Sequence, residues 1–209
     1  MGLEVMCFPY GKYGENTYLI TDEATGFKAV IDPGYFGTDV KFSIQNNAYL
    51  KYMLLTHGHG DHFGAASQYL EEYSTVKFAI PEKEQQLIYG CGLKEKAIRL
   101  VSKSGDCPAA HVLLKEGDVI TLGETELRVI ETPGHTAGGI CFATDREIFT
   151  GDTLFRLSVG RTDLETGDWD ALVSSIQNKL YTLDDDLVVY PGHGQPSTIG
   201  YEKKANPFV

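Results

Sequence analysis

The chain has 209 residues, of which 42% are hydrophobic and 22% are charged, a composition typical of a globular protein that can bury a core. Its 29 acidic and 18 basic side chains give a net charge of −11, which repels a phosphate backbone and argues against nucleic acid as a partner. No apolar stretch is long enough for a secretory signal or for a membrane span of about 20 residues, so no membrane partner is expected.

The chain contains four cysteines, which are scattered and form no CxxC pair: Cys7, Cys91, Cys107 and Cys141. This spacing favours buried or free thiols over a disulfide framework or a sulfur-ligated metal. A reduced, cytoplasmic protein is therefore predicted. Nothing in the sequence indicates an oligomeric state.

The first half of the chain alternates predicted strands and helices. Apolar runs bounded by turn residues predict strands at Leu3–Phe8, Thr17–Thr21, Lys28–Ile31, Tyr52–Leu55 and Val76–Ile80. Helices are expected at Thr38–Asn46, Gly64–Tyr73 and Glu82–Tyr89, the last with Pro81 in its first turn.

The second half shows the same alternation after a less regular stretch with a possible helix at Leu93–Val101. Strands are predicted at Val119–Leu122, Leu127–Glu131, Ile140–Ala143, Glu147–Thr150 and Leu187–Tyr190. Apolar residues spaced for one helix face predict a helix over Asp168–Leu180, with an inward side formed by Trp169, Leu172, Val173, Ile176 and Leu180. Strand-rich blocks in both halves, each with helices, predict two packed sheets covered by outer helices.

The densest polar motif is the run Thr56-His57-Gly58-His59-Gly60-Asp61-His62, which directly follows a predicted strand. Burying three imidazoles and a carboxylate costs several kcal/mol unless each has a partner. Imidazole nitrogen and carboxylate oxygen are also the ligands that suit zinc, iron and related divalent ions. The motif therefore predicts a metal site in preference to a solvated polar loop.

Three further motifs also follow predicted strands. They contain His135 in Thr132-Pro133-Gly134-His135-Thr136, Asp152 in Thr150-Gly151-Asp152-Thr153, and His193 in Tyr190-Pro191-Gly192-His193-Gly194. A single histidine after a strand is weak evidence, but side chains on such loops can converge at one rim of a sheet sandwich. The sixth histidine, His111, belongs to none of these motifs and is predicted to be structural.

In this order, the four motifs resemble the metallo-β-lactamase superfamily over nearly the whole chain. The resemblance implies an α+β fold, an αβ/βα sandwich of two mixed β-sheets flanked by helices, with two divalent metals at the sheet rim. Zinc is the expected metal, although iron or manganese also suits such ligands. The implied ligands are His57, His59 and His135 for the first metal, Asp61, His62 and His193 for the second, and Asp152 as the bridge.

Other segments resemble glyoxalase II (hydroxyacylglutathione hydrolase) and its short bacterial relatives. They include Glu15-Asn16-Thr17-Tyr18, Ile31-Asp32-Pro33-Gly34, Gly151-Asp152-Thr153-Leu154-Phe155, Gly160-Arg161-Thr162-Asp163 and the tail from Pro191 to Phe208. Zinc β-lactamases usually lack a bridging carboxylate at the position of Asp152, which argues against drug hydrolysis.

One departure concerns the C-terminal helical region that helps full-length glyoxalase II to hold glutathione. This chain ends 16 residues after His193, so we expect a single domain over residues 1–209 without that region. Glutathione recognition is therefore not carried over, and poor discrimination between thiol carriers is expected.

The implied reaction is hydrolysis of a small thioester resembling S-2-hydroxyacylglutathione, through attack by a metal-bridging hydroxide. Two cations ~3.5–4 Å apart lower the pKa of a shared water towards ~7. Asp61 and Asp152 are the expected catalytic carboxylates, since they would orient this nucleophile. Arg161 is a candidate for binding the anionic end of the substrate, with an internal salt bridge as its alternative.

Persulfide dioxygenases are the main alternative, because they share the metal motifs and the Gly160–Asp163 segment. They use a single iron on the positions matching His57, His135 and Asp152. Gly194 and the Thr198-Ile199-Gly200 stretch favour the hydrolase branch. Hydrolysis of another ester, lactone or phosphoester also stays open, as does a non-enzymatic metal-binding module.

Overall fold

The structure is a computed structural model that describes residues 2–45, 49–89 and 107–209. The helix expected at Leu93–Val101 and the residue Cys91 lie outside these ranges. So does the last residue of the helix expected at Thr38–Asn46.

The first half of the chain forms a six-stranded mixed sheet, in which the strands lie in chain order. Neighbouring strands are antiparallel among the first three and parallel among the last four, so the third strand belongs to both groups. Their bounds are β1 (Leu3–Tyr10), β2 (Glu15–Asp22), β3 (Lys28–Ile31), β4 (Leu50–Leu54), β5 (Lys77–Pro81) and β6 (Val112–Leu114).

The second half forms another six-stranded mixed sheet and a small two-stranded one. The strands are β7 (Val119–Leu122), β8 (Thr125–Glu131), β9 (Ile140–Ala143), β10 (Glu147–Gly151), β11 (Leu154–Phe155), β12 (Ser158–Val159), β13 (Val188–Pro191) and β14 (Ser197–Thr198). The large sheet has the order β14-β13-β10-β9-β8-β7, with β10 and β13 parallel and the other pairs antiparallel. Strands β11 and β12 form the small hairpin.

Helices connect and cover the two large sheets. The α-helices of the described residues are α1 (Thr38–Ile44), α2 (Gly60–Phe63), α3 (Ala66–Glu72), α4 (Gln85–Tyr89), α5 (Trp169–Asn178) and α6 (Ile199–Ala205). Two 3-10 helices lie at Glu82–Glu84 and Leu180–Thr182. None of the helices in the described ranges is long and apolar enough to cross a membrane.

Alternation along the strands builds three apolar layers. In β9, Ile140 and Phe142 pack between the two sheets, whereas Cys141 and Ala143 pack on the opposite face with residues of α5. The first sheet shows the same division, since its outward residues form a separate core with α1 and α3. Because successive strand side chains point to opposite faces, this pattern produces two mixed sheets between helical layers. The expected α+β sandwich is confirmed.

Several local predictions needed correction. Pro81 ends β5 instead of starting a helix. The helix expected at Gly64–Tyr73 is observed as the shorter α3, and the separate helix α2, which contains Asp61 and His62, was not predicted. Trp169 was predicted to be core but is 44% exposed. It is the first residue of α5, one turn before the buried Leu172. A periodic apolar pattern predicts which side of a helix faces the core. It does not predict where along the helix contact with the core begins.

Two of the expectations from the sequence concern the cysteines and His111, and the structure agrees with both. Cys7 and Cys141 are free thiols. The side chain of His111 accepts a hydrogen bond from the backbone N–H of Phe78 at 3.1 Å, a structural contact between β5 and the residue before β6.

Candidate metal centre

The polar motifs lie at the ends of four strands, and these ends meet at one rim of the sandwich. The HxHxDH motif follows β4, and His135 follows β8. Asp152 follows β10 directly, and His193 follows β13. Because β10 and β13 are neighbouring parallel strands, their carboxyl ends place Asp152 and His193 on the same edge of the sheet.

Three imidazoles form the first cluster at this rim. Nε2 of His57 lies 3.1 Å from Nδ1 of His59, and Nε2 of His135 lies 2.9 Å from the same His59 atom. The three side chains offer nitrogens that all lie within 4.8 Å of one another. The structure thus brings together the residues predicted to hold the first metal.

Asp61, His62 and His193 form the second cluster. Their potential ligand atoms also lie within 4.8 Å of one another, and Nε2 of His193 is 3.7 Å from Oδ2 of Asp61. His62 is fully buried, whereas the Asp61 side chain is 38% exposed. The second cluster is therefore open towards solvent on the Asp61 side.

Asp152 lies between the two clusters and faces both of them. Its Oδ2 atom is 3.4 Å from Nε2 of His135 and 3.5 Å from Nε2 of His193. Its Oδ1 atom is 3.4 Å from Nε2 of His62. One carboxylate thus contacts ligand atoms of both triads.

Two buried atoms of this centre have no hydrogen-bond partner within the described part of the chain, namely Nε2 of His62 and Oδ1 of Asp152. An unsatisfied buried polar atom costs ~1–3 kcal/mol, so such a pair is expected where a cation completes the site. The donor set of imidazole nitrogens and carboxylate oxygens also fits divalent zinc, iron or manganese. The residues present therefore fit a pair of divalent metals.

Hydrogen bonds from the opposite ring nitrogens orient three of the imidazoles. Nδ1 of His135 donates to the backbone carbonyl of Arg161 at 2.7 Å, and Nδ1 of His193 donates to that of Tyr13 at 3.0 Å. Nδ1 of His62 is 2.9 Å from Oδ2 of Asp32. Such contacts fix the tautomer and direct the Nε2 lone pair into the site.

Asp32 is a functional residue that the sequence analysis did not identify. It is buried directly after β3, and its carboxylate accepts hydrogen bonds from the backbone N–H and the hydroxyl of Thr56, both at 2.8 Å. The Thr56 hydroxyl in turn lies 3.1 Å from Nδ1 of His57. Asp32 thus supports ligands of both clusters. The sequence did contain one signal for its role, because Asp32 directly follows a strand that ends at the same rim as the ligand motifs.

Electrostatics differ between the two clusters. Burial lowers the pKa of His57 and His135, and it lowers that of His59 to about 4, so these imidazoles are neutral. Burial is the largest single influence on His62 and His193 and opposes their charge, but the neighbouring carboxylates together outweigh it and raise both pKa values. Asp152 and Asp61 act on both imidazoles, and Asp32 acts on His62 as well. The second cluster therefore attracts positive charge strongly.

Arg161 lies on the loop after β12, where its guanidinium donates to both carboxylate oxygens of Asp163 at 2.6 and 2.7 Å. The internal salt bridge considered for it is therefore formed. Both side chains are mostly exposed, and the backbone carbonyl of Arg161 is the one that orients His135. The residue is thus part of the rim of the site.

Comparisons with known proteins agree with this geometry. A family model described as the metallo-beta-lactamase superfamily matches residues 10–193. Hydroxyacylglutathione hydrolase GloC of Haemophilus influenzae is 36% identical over 213 residues, which cover 100% of this chain and 98% of that protein.

Solved structures show the same similarity. BLEG-1 B3 metallo-beta-lactamase has a TM-score of 0.86 at 30% identity, with 98% of this chain and 99% of that chain covered. TTHA1623 in a di-iron-bound form has a TM-score of 0.84 at 32% identity, covering 98% and 100%. ETHE1 from Myxococcus xanthus has a TM-score of 0.77 at 29% identity, covering 98% and 83%. The family match spans most of the chain and includes the four strand ends that carry the polar motifs, so the chain belongs to the metallo-β-lactamase superfamily.

Proposed function

We propose that this protein is a dinuclear metal-dependent hydrolase of a small thioester resembling S-2-hydroxyacylglutathione. The observation that carries the proposal is the position of Asp152, whose two oxygens face one triad of ligand atoms each. His57, His59 and His135 would hold one metal, Asp61, His62 and His193 would hold the other, and Asp152 would be available to both. The similarity to GloC over the full chain supports the thioester.

Two bound divalent cations would supply Lewis acidity, lowering the pKa of a shared water towards ~7 and polarising the substrate carbonyl. Asp152 and Asp61 orient the attacking water through their carboxylate oxygens. Asp61 is the more exposed of the two, so it is the one placed to receive the proton that the water loses when its oxygen bonds to the carbonyl carbon. When the C–S bond breaks, the proton passes to the departing thiolate, which leaves the carboxylic acid and the free thiol as products. Arg161 at the rim binds the anionic end of the substrate.

Zinc is the proposed metal, and iron or manganese would suit the same nitrogen and oxygen donors. The similar protein TTHA1623 was crystallised in a di-iron-bound form, so the metal must be measured.

We further propose a single domain and a reduced, cytoplasmic setting. The continuous apolar layers and the free thiols of Cys7 and Cys141 support these two points.

An iron-dependent persulfide dioxygenase is the second candidate, and one observation favours it. Nε2 of His57 and Nε2 of His135 lie 4.0 and 3.4 Å from Oδ2 of Asp152, an arrangement of two histidines and one carboxylate that suits non-haem iron. The full set of donors around His62 and His193 favours the dinuclear hydrolase.

The deciding experiment combines metal analysis with three activity assays. Purified protein is reconstituted with Zn²⁺ or Fe²⁺, its metal content is measured, and it is assayed with S-lactoylglutathione, a glutathione persulfide and a β-lactam. We expect two metals per chain and thioester hydrolysis. One metal per chain with oxygen uptake on the persulfide would replace the hydrolase by the dioxygenase, and turnover of the β-lactam alone would replace it by a lactamase.

A further inference from the structure

Glu84 is a buried carboxylate that the proposed chemistry does not use. It ends the 3-10 helix Glu82–Glu84 and is 1% exposed. One oxygen accepts a hydrogen bond from the backbone N–H of Gly58 at 2.7 Å, and the other accepts one from the backbone N–H of Gly138, also at 2.7 Å. A single side chain thus joins two loops that are far apart in sequence.

These two loops carry the first triad of ligands. Gly58 lies between His57 and His59, and Gly138 follows His135 by three residues. A Cβ atom at Gly58 would lie 2.8 Å from the Glu84 carboxylate, and one at Gly138 would lie 2.6 Å from it. The close approach requires glycine at both positions. Glu84 therefore links the loop of His57 and His59 to the loop of His135.

A different buried residue supports the loop of the second triad. The amide nitrogen of Asn16 donates to the backbone carbonyls of Pro191 and Gly194 at 3.0 and 2.9 Å, one on each side of His193. The hydroxyl of Tyr18 also donates to the carbonyl of Pro191, at 2.6 Å. Residues of β2 in the first sheet thus hold the His193 loop of the second sheet.

From these contacts we infer that, besides the Asp32 carboxylate that the two clusters share, each metal position has an internal support of its own: Glu84 positions the first triad, and Asn16 positions the His193 ligand of the second. The inference rests on the proposed dinuclear site. Both are positioning residues, since their side chains contact backbone groups of the ligand loops. The second triad keeps its own contacts when Glu84 is changed, because His62 is held by Asp32 and His193 by Asn16 and Tyr13.

The test measures Zn²⁺ affinity in proteins that retain a single site. His193→Ala removes a ligand of the second site, and His59→Ala removes one of the first. Glu84→Gln and Asn16→Ala are each placed in both backgrounds, and the dissociation constant for Zn²⁺ is measured by competition with a chromogenic chelator. Glu84→Gln is isosteric, but its amide group turns a donor towards one of the two backbone N–H groups.

We expect Glu84→Gln to weaken Zn²⁺ binding by ~10–100-fold, the usual effect of a lost outer partner, in the His193→Ala background and to leave it unchanged in the His59→Ala background. Asn16→Ala should weaken binding in the His59→Ala background alone. Gly138→Ala, which displaces the Glu84 carboxylate without removing it, should reproduce the first result and replaces Glu84→Gln if that variant does not fold.

Asp22→Asn is the matched control for loss of a buried carboxylate. Asp22 is 1% exposed and accepts hydrogen bonds from Thr25 and Thr125. It lies six residues along β2 from Asn16, roughly 20 Å away at ~3.3 Å per residue. Thermal unfolding of the metal-free proteins is followed in parallel, and the control should lose stability without a change in Zn²⁺ affinity.

Equal effects of Glu84→Gln in the two backgrounds, or an effect no larger than that of Asp22→Asn, would overturn the inference. Failure of the dinuclear proposal gives a different result, since the unsubstituted protein would then bind one Zn²⁺ at saturation.

Discussion

At the scale of single residues, Arg161 combines two roles that can be separated. Its backbone carbonyl orients His135, whereas its side chain pairs with Asp163 on the surface. An exposed ion pair of this kind contributes little to stability, because solvent screens both charges. A substrate carboxylate can therefore exchange with Asp163 at small cost, without disturbing the histidine.

The substitution Arg161→Ala should raise KM for an anionic thioester and leave kcat nearly unchanged, because the side chain would contact the substrate away from its reacting carbonyl. A neutral thioester should show no change in KM. Steady-state kinetics on both substrates check this, with Arg146→Ala in the exposed β9–β10 turn as the control. A large fall in kcat at normal KM would show that Arg161 acts in the chemical step.

Asp32 contacts both clusters, and its substitution should act on both. In Asp32→Asn the amide group cannot accept from all three donors that now surround the carboxylate, two on Thr56 and one on His62. We expect Zn²⁺ affinity to fall by ~10–100-fold at each site, measured in the same one-site backgrounds. Weaker binding at the second site alone would mean that the contact from Thr56 to His57 does not support the first site.

At the scale of elements, helix α6 is attached to the second sheet through Glu202, which is fully buried. Its carboxylate accepts hydrogen bonds from the backbone N–H of Leu157 at 2.8 Å, from the Asn206 amide at 2.9 Å and from the Ser197 hydroxyl. These contacts join α6 to the tip of the β11–β12 hairpin and to β14.

Replacing Glu202 with alanine should lower the free energy of unfolding by on the order of 3 kcal/mol, because buried donors lose their acceptor. Lys204→Ala, on the exposed side of the same helix, should change it by less than ~0.5 kcal/mol. Urea denaturation of the two variants provides the comparison. Similar midpoints would indicate that α6 contributes little to the stability of the fold.

The elements also show how far a sequence pattern extends. Strands β3, β7 and β9 were predicted at their observed bounds because clear turn residues and apolar runs define them. The strands β11, β12 and β14 have two residues each, which is too short for a period-2 pattern. They form because the surrounding layers bring their backbones together, and local sequence carries no signal for that.

At the scale of the whole molecule, the cluster of carboxylates at the rim belongs to a chain with a net charge of −11, so bound cations would offset part of its negative charge. Asp61 and Asp152 lie within the cluster, and Asp32 supports it. Metals that bind only the folded state stabilise it by mass action, by ~2.7 kcal/mol when the free metal is 100-fold above its dissociation constant.

Removal of metal by EDTA should therefore lower Tm by roughly 5–10 °C for a domain of this size, and added Zn²⁺ should restore it. Differential scanning calorimetry with and without chelator measures the shift. The double variant His59→Ala/His193→Ala serves as the control and should respond weakly. An identical Tm in both conditions would argue against metal binding to the folded state.

The sequence by itself determined the class of fold, the ends of most long strands and the chemical nature of the site. Apolar alternation and imidazoles clustered after strands both lie within short stretches of sequence, so they can be recognised without the tertiary structure. Tertiary structure decided which backbone groups those side chains meet. Glu84, Asn16 and Asp32 make their contacts with partners tens of residues away or more, mostly backbone N–H and carbonyl groups that every residue possesses. A backbone group does not identify its partner: Gly58 and Gly138 show that something approaches closely but not that it is Glu84. The packing of the tertiary structure therefore decided these pairings.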